Sequence, residues 1–206
     1  MIREANFNDL TEIAQLHIQS FENHFLPKLG VKLLSQYYKE FMTEKNIFLV
    51  SVNDNNQIDG LVLGTQSSDE GRNRFIKNNI FRLFVRMCLL CLKFDKDAWS
   101  RILAFIRNRL YRVINNKKKS NSKRVSSSSF SLLSICVSQK VKGRGVSRSL
   151  IEEFENRLAN LGYEYYTLTV QKSNMRAINF YNKLHMSIYR ETDTEYGYIK
   201  KLNVNK

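Results

Sequence analysis

The stretch Ile135-Cys136-Val137-Ser138-Gln139-Lys140-Val141-Lys142-Gly143-Arg144-Gly145-Val146-Ser147 runs straight into Arg148-Ser149-Leu150-Ile151, and its reading decides the fold. Its first residues continue an apolar run that begins at Phe130, so 130–137 reads as a strand. From Val146 to Leu161 apolar residues recur at helical spacing, and Gly162 supplies a stop. A strand therefore hands over to a helix through a glycine turn. The first N–H groups of a helix have no intrahelical acceptor, and the helix dipole adds about half a positive charge there. Such a turn is a natural cradle for a pyrophosphate, and Gly143 and Gly145 let a ligand come close to the backbone. Taken alone, the pattern also describes a plain turn that binds nothing. Two other phosphate motifs are excluded. A Walker loop needs Gly, four residues, then Gly-Lys-Ser/Thr, and a dinucleotide fingerprint needs a small residue where this chain has Arg148.

Working outward, the C-terminal side continues with a strand over 165–170, a helix over 174–184 and two strands over 186–190 and 196–202. Upstream, residues 2–6 read as a strand. Asn8 is positioned to cap a helix with Leu10, Ile13, Ala14, Leu16 and Ile18 on one face. A second helix is expected over 31–42. Phe48–Val52 and Ile58–Gly64, separated by the turn-forming run 53–57, read as a hairpin. Residues 71–129 interrupt this order. Two apolar, basic segments, 75–94 and 98–114, read as helices separated by Asp95-Lys96-Asp97, and the polar, Ser-rich 115–129 reads as a mobile loop. The fold class is mixed α/β, with a mostly antiparallel sheet flanked by helices and a basic helical insertion before the fourth strand. The 206 residues are expected to form one domain with its insertion at 71–129.

Charge is distributed unevenly. Residues 1–70 carry −5, residues 71–128 carry +14 and residues 129–206 carry +5, so the middle segment equals the net charge of +14. So concentrated a positive field attracts anions, whether lipid headgroups, phosphorylated small molecules or nucleic acid. No basic n-region with an apolar core opens the chain and no apolar run approaches the roughly 20 residues of a membrane span, so a cytoplasmic location is expected. Three cysteines, an odd number, make no disulfide framework. Cys88 and Cys91 form a C-x-x-C without a second pair or a neighbouring His, so they read as buried core thiols rather than a zinc site, and no metal is expected.

The downstream segment Leu168-Thr169-Val170-Gln171-Lys172-Ser173-Asn174-Met175-Arg176-Ala177-Ile178-Asn179-Phe180-Tyr181-Asn182-Lys183-Leu184 resembles motif B of the GNAT superfamily of acyl-CoA-dependent N-acyltransferases, a strand followed by Asn, Arg-Ala and Phe-Tyr-x-Lys-Leu. The glycine turn resembles the same superfamily's motif A, whose Arg/Gln, Gly and Gly/Ala fall on Lys142, Gly145 and Ser147. The likeness is strong over 130–190, extends in element order over 1–66 and is absent from the insertion. Four positions depart from the pattern: Lys142, Ser147, and His185-Met186 in place of Gly-Phe.

The resemblance implies acetyl-CoA as cosubstrate. It implies that Ile135, Cys136 and Val137 offer their backbone to the pantetheine arm, with the Val137 N–H near the thioester oxygen. Lys142, Gly143, Arg144, Gly145, Val146 and Ser147 then surround the pyrophosphate, Asn174 contacts the arm, and Tyr181 protonates the departing thiolate. Read as residues alone, Tyr181 also fits a core aromatic beside Ala177, Phe180 and Leu184, and Asn174 also fits a helix N-cap. No carboxylate lies on 130–137 to act as base; His17, Glu22 and His24, near the loop between the first two helices, are candidates alongside a water chain.

The acceptor expected is a small-molecule amine, possible examples being an amino sugar or nucleotide sugar drawn by Arg107, Arg109, Arg112 and Lys117 to Lys119. Acetylation of a protein amine is the alternative within catalysis. On 75–94, Arg82, Arg86 and Lys93 form a basic stripe beside Phe81, Phe84, Val85, Cys88, Leu89 and Leu92. That pattern fits a helical hairpin packed over the acceptor side. It fits equally a peripheral contact with anionic membrane through residues 74–124, in a non-catalytic acyl-CoA-binding module or in an enzyme. A homodimer is compatible with the sequence. Nucleic acid ranks last, since no recognition helix or stacking platform is present.

Overall fold

The computed structural model describes residues 1–22, 24–92 and 130–202. Seven strands form one mixed sheet: β1 (Ile2–Glu4), β2 (Asn46–Val52), β3 (Ile58–Thr65), β4 (Phe130–Val137), β5 (Tyr165–Gln171), β6 (Ser187–Glu191) and β7 (Glu195–Lys201). Their spatial order is β1-β2-β3-β4-β5-β7-β6. Every neighbouring pair is antiparallel except β4 and β5. Helices α1 (Leu10–Ser20) and α2 (Val31–Lys39) cover one face. Helices α4 (Val146–Asn160) and α5 (Met175–Lys183) cover the other.

The two layers have separate cores. Leu10, Ile13, Ala14, Leu34, Tyr38 and Phe41 pack with Val50, Leu61 and Leu63 on the α1/α2 face. Val62, Phe130, Leu132 and Val137 pack with Leu150, Phe154, Tyr166, Tyr181 and Tyr198 on the α4/α5 face. Gly60 and Gly64 let α4 press on the sheet: a Cβ on Gly64 would lie 2.4 Å from Phe154 Cε2 and 2.7 Å from Phe130 Cε1.

The ends of the helices follow local chemistry. Asn6, not Asn8, is the N-terminal cap: its side chain accepts from Asn8 N–H while the Asp9 carboxylate accepts from Asn6 N–H. A short 3₁₀ turn, Phe7–Asp9, therefore precedes α1. Arg3 donates to both Asp9 oxygens at 2.7 and 2.8 Å, which holds that carboxyl below the ordinary carboxylate range. Helix α4 ends in a Schellman motif, with Tyr163 N–H on Leu158 C=O, Gly162 N–H on Ala159 C=O, and Gly162 at φ +80°.

Helix α3 (Ser68–Leu92) begins two turns earlier than the apolar periodicity indicates. Its first turns are polar, but Gly71 rests against the Phe41 ring, Asn78 donates to Glu40 and Arg74 pairs with Glu40 and Glu70. A kink at Asn79 (φ −125°, ψ 18°) accompanies the Asn79 amide donating to Phe75 C=O at 3.1 Å. Past the kink the helix corrects the sequence reading. Phe75, Asn79 and Leu90 are buried, whereas Phe81 (74% exposed), Phe84 (65%), Cys88 and Leu92 (75%) face outward. Cys88 is therefore not a core thiol. Arg82 is exposed, while Arg86 is half-buried with its Nε–H on Lys28 C=O at 2.8 Å. Lys93, the segment 98–114 with its arginines, and the loop 115–129 lie outside the described residues. Among the described residues no helix is long and apolar enough to cross a membrane.

Candidate active site

The sheet comes apart at its one parallel seam. β4 and β5 pair only at Phe130 with Tyr166 and Ser131 with Thr167. Beyond those residues β5 stays zipped to β7 as far as Gln171, and β4 stays zipped to β3 as far as Val137. A gap therefore opens between 132–137 and 168–171. Ser138 donates its N–H to Asp59 C=O on β3 at 2.7 Å. Alternation along an antiparallel edge then turns the Cys136 N–H toward β3 and the N–H groups of Val137 and Ile135 toward the gap. The Val137 contact expected from the sequence has this orientation, and Ile135 shares it.

A bulge marks the start of the gap. Leu63 pairs with Ser134 but Gly64 pairs with Leu132, so Leu133 is the extra residue. Four buried or half-buried side chains sit around it on the α1/α2 face. Tyr38, fully buried, has its hydroxyl 2.6 Å from His17 Nδ1 and 3.3 Å from Ser134 Oγ. The Cys136 thiol is buried, and burial pushes it up to about 12 although a hydrogen bond with Ser20 opposes this. It is therefore protonated and unreactive at neutral pH.

After β4 the chain closes a short turn with Val141 N–H on Ser138 C=O and Arg144 N–H on Val141 C=O, and the ladder of α4 starts at Arg148 N–H on Gly145 C=O. The N–H groups of Gly143, Gly145, Val146 and Ser147 have no acceptor among the described residues. Gly143 and Gly145 are at φ +79° and +85°, a region glycine enters freely, and a Cβ at either would meet nothing within 4 Å. Four free donors, a helix N-terminus and open space in front of them suit a diphosphate. Lys142 is half-buried beside this turn; partial desolvation and the Arg176 guanidinium lower its pKa, with Glu22 opposing.

Motif B brings two residues to the other side of the gap. Asn174 caps α5, its Oδ1 accepting from Ala177 N–H at 3.1 Å, so the helix-cap role is present and its side-chain amide N–H groups are left for a ligand. Tyr181 is buried among Phe180 and Tyr198, with ring centroids 5.3 and 5.9 Å away. Burial raises its pKa, and its hydroxyl has no hydrogen-bond partner among the described residues. The phenol thus holds its proton at neutral pH.

The base candidates separate clearly. His17 is buried, and burial, then His24, lower it to about 4, so it is a neutral imidazole that binds a proton poorly. Its Nε2 is buried without a partner among the described residues. His24 is half-buried with its ring edge-on to Phe21, and Glu22 is exposed. Sequence reasoning overlooked Asp59, opposite Ser138, whose buried Oδ1 also lacks a partner among the described residues. It overlooked Tyr38 and Ser134 as well, because nothing in a linear pattern couples positions 96 residues apart.

Comparison with known proteins bears on this arrangement. The family model described as "Acetyltransferase (GNAT) family" matches residues 90–186. No curated protein matches the chain in sequence. Among solved structures, the chain is similar to the ribosomal-protein-S18-alanine N-acetyltransferase from Escherichia coli, with 13% identity, TM-score 0.56, and 100% of this chain and 94% of that one covered. It is similar to the PaiA N-acetyltransferase from Thermoplasma acidophilum in complex with coenzyme A, with 12% identity, TM-score 0.59 and 98% of each chain covered. It is also similar to aminoglycoside 6'-acetyltransferase type Ii, with 11% identity, TM-score 0.59, and 98% and 96% covered. At such identities the likeness establishes the fold.

Proposed function

We propose that this chain, which carries an acetyltransferase domain of the GNAT family, transfers an acetyl group from acetyl-CoA to the amine of a small-molecule acceptor, an amino sugar or nucleotide sugar by class, in a ternary complex. One observation carries the reading. A strand whose edge is released after two residue pairs leads directly into a turn with four unpaired N–H donors. A long ligand with a diphosphate at one end and an amide-bearing arm at the other matches that sequence of donors.

In this reading Gly143, Gly145, Val146 and Ser147 hold the diphosphate through their N–H groups, with Lys142 and Arg144 adding positive charge. Ile135 and Val137 bind the arm, and one of their N–H groups stabilises the oxyanion as the acceptor nitrogen bonds to the acyl carbon. As the C–S bond breaks, its electron pair stays on sulfur and the Tyr181 hydroxyl delivers the proton. The amine gives up one proton, which restores the Tyr181 phenol through solvent. The products are the N-acetylated amine and free thiol.

The test is a thermal-shift titration with acetyl-CoA followed by a free-thiol assay over amines and N-terminal peptides. A ligand at about 100 times its dissociation constant adds roughly 2.7 kcal/mol of stability. Stabilisation with thiol release on one amine class supports the reading and identifies the acceptor; release with peptides alone moves the acceptor to protein. Absence of any shift removes the reading. Tyr181→Phe is expected to keep the thermal shift and lose about a hundredfold in turnover.

A second reading concerns location. The outward apolar face of α3, Ile80 to Leu92, beside Arg82 in the segment that carries all the net charge, supports peripheral attachment to an anionic bilayer surface. Co-sedimentation with phosphatidylserine vesicles but not with neutral ones, weakening in salt, is expected; a mass of two chains without vesicle binding assigns that face to a homodimer instead.

A further inference from the structure

The bulge at Leu133 changes which side of the sheet β4 addresses. Phe130 and Leu132 point to α4, and strict alternation would send the 134 side chain the same way. The extra residue reverses the parity: Ser134 reaches Tyr38 on α2, and Ile135 and Val137 return to the α4 side. Ser134 is thereby brought onto the face opposite the pyrophosphate turn, next to the first N–H that enters the gap. Over 132–137 the other side chains are Leu, Leu, Ile, Val and the buried Cys136, so Ser134, half-buried, is the one hydroxyl of the released segment.

That hydroxyl is held by groups the core does not need. Tyr38 and His17 would pack as well as Phe and Leu; as polar groups in full burial they are stable only when bonded to each other. We infer that Ser134 is the group that hydrogen-bonds the acceptor amine beside the thioester, and that Tyr38 and His17 are positioning residues that fix its hydroxyl. The inference rests on the acetyl-transfer reading above.

The polarity of the chain is set by the tautomer of His17. A neutral imidazole has one N–H. When it is on Nε2, Tyr38 donates to His17 Nδ1, Ser134 donates to Tyr38, and the outward lone pair of Ser134 accepts from an amine N–H. The amine nitrogen then keeps its own lone pair for the acyl carbon. His17 orders the chain without becoming the proton's destination, since burial keeps its imidazole neutral.

The experiment uses acetyl-CoA with hydroxylamine, a small amine largely unprotonated at neutral pH, and reads thiol release above the enzyme-free rate, because hydroxylamine also cleaves thioesters unaided. Ser134→Ala is expected to lower kcat about tenfold to a hundredfold with the acetyl-CoA thermal shift unchanged, a loss matching one buried hydrogen bond. Ser134→Thr, which keeps the hydroxyl, recovers most of the rate. Tyr38→Phe lowers kcat as well, and combined with Ser134→Ala adds nothing further, because it acts through the same oxygen. Wild-type turnover by Ser134→Ala, or additive losses in the double variant, overturns the inference. Failure of the parent reading is distinguishable: the unsubstituted protein then gives no thermal shift with acetyl-CoA, and the inference falls with it.

Discussion

The two faces of β4 are built from different material. Toward α4 the working parts are backbone: Gly60 and Gly64 admit the helix, Gly143 and Gly145 turn the chain, and the donors offered to a ligand are main-chain N–H groups. Toward α1 and α2 they are side chains, a hydroxyl, a phenol and an imidazole joined at 2.6 and 3.3 Å. A diphosphate is the same in every acyl-CoA, and a backbone cradle serves it whatever the surrounding side chains are. An acceptor differs from one enzyme to the next, and side chains are what sequence change can retune. On the acetyl-transfer reading proposed above, the common half of the reaction is written in conformation, the particular half in composition.

The comparison can be broken on either face. The largest effect is expected from Gly64→Ala: its Cβ would enter the Phe154 and Phe130 rings, and overpacking of this kind costs about 3 kcal/mol. A urea midpoint left unchanged would mean that α4 does not depend on that close approach. On the other face, His17 should make stability depend on pH. Its folded pKa, about 4, lies below the ordinary value of 6.5. The unfolded chain therefore binds the proton first, and stability present above pH 6.5 is lost as pH falls toward 4, by about 3 kcal/mol at the limit. Urea unfolding at pH 7.5 and 4.5 checks this, and His17→Gln should flatten that part of the difference. Smaller still, Gly145→Ala strains a residue at φ +85° by about 1 to 2 kcal/mol, and adds a Cβ, with nothing within 4 Å of it, on a residue whose own N–H is one of the free donors. Acetyl-CoA affinity is expected to fall about tenfold, measured by calorimetry, with a Tm shift of only a few degrees.

The same division explains what was legible beforehand. Backbone features leave local marks: the strand 130–137, Gly143, Gly145 and the Gly162 stop stand next to each other in the chain, and strand and helix periods announce the sheet and four of its helices. Features assembled from distant side chains leave none. Tyr38 and Ser134 are ordinary residues of an apolar helix and an apolar strand until the fold joins them, and the bulge that joins them is invisible in an alternation only eight residues long. The start and the buried face of helix α3 escaped for a related reason. Its polar opening, Ser68 to Arg74, hides the period, and its second half has apolar residues on nearly every side, so the buried stripe through Phe75, Leu83 and Leu90 cannot be picked out from composition.

The short seam between β4 and β5 has a consequence for exchange with solvent. Cys136 gives its amide hydrogen to the β3 ladder, while those of Ile135 and Val137 point into a gap. In deuterated water the free protein should therefore show fast, slow, fast along three consecutive residues, a pattern that an interior strand paired on both sides does not produce. Occupation of the gap by a pantetheine-like arm would slow the outer two and leave the middle one as it was.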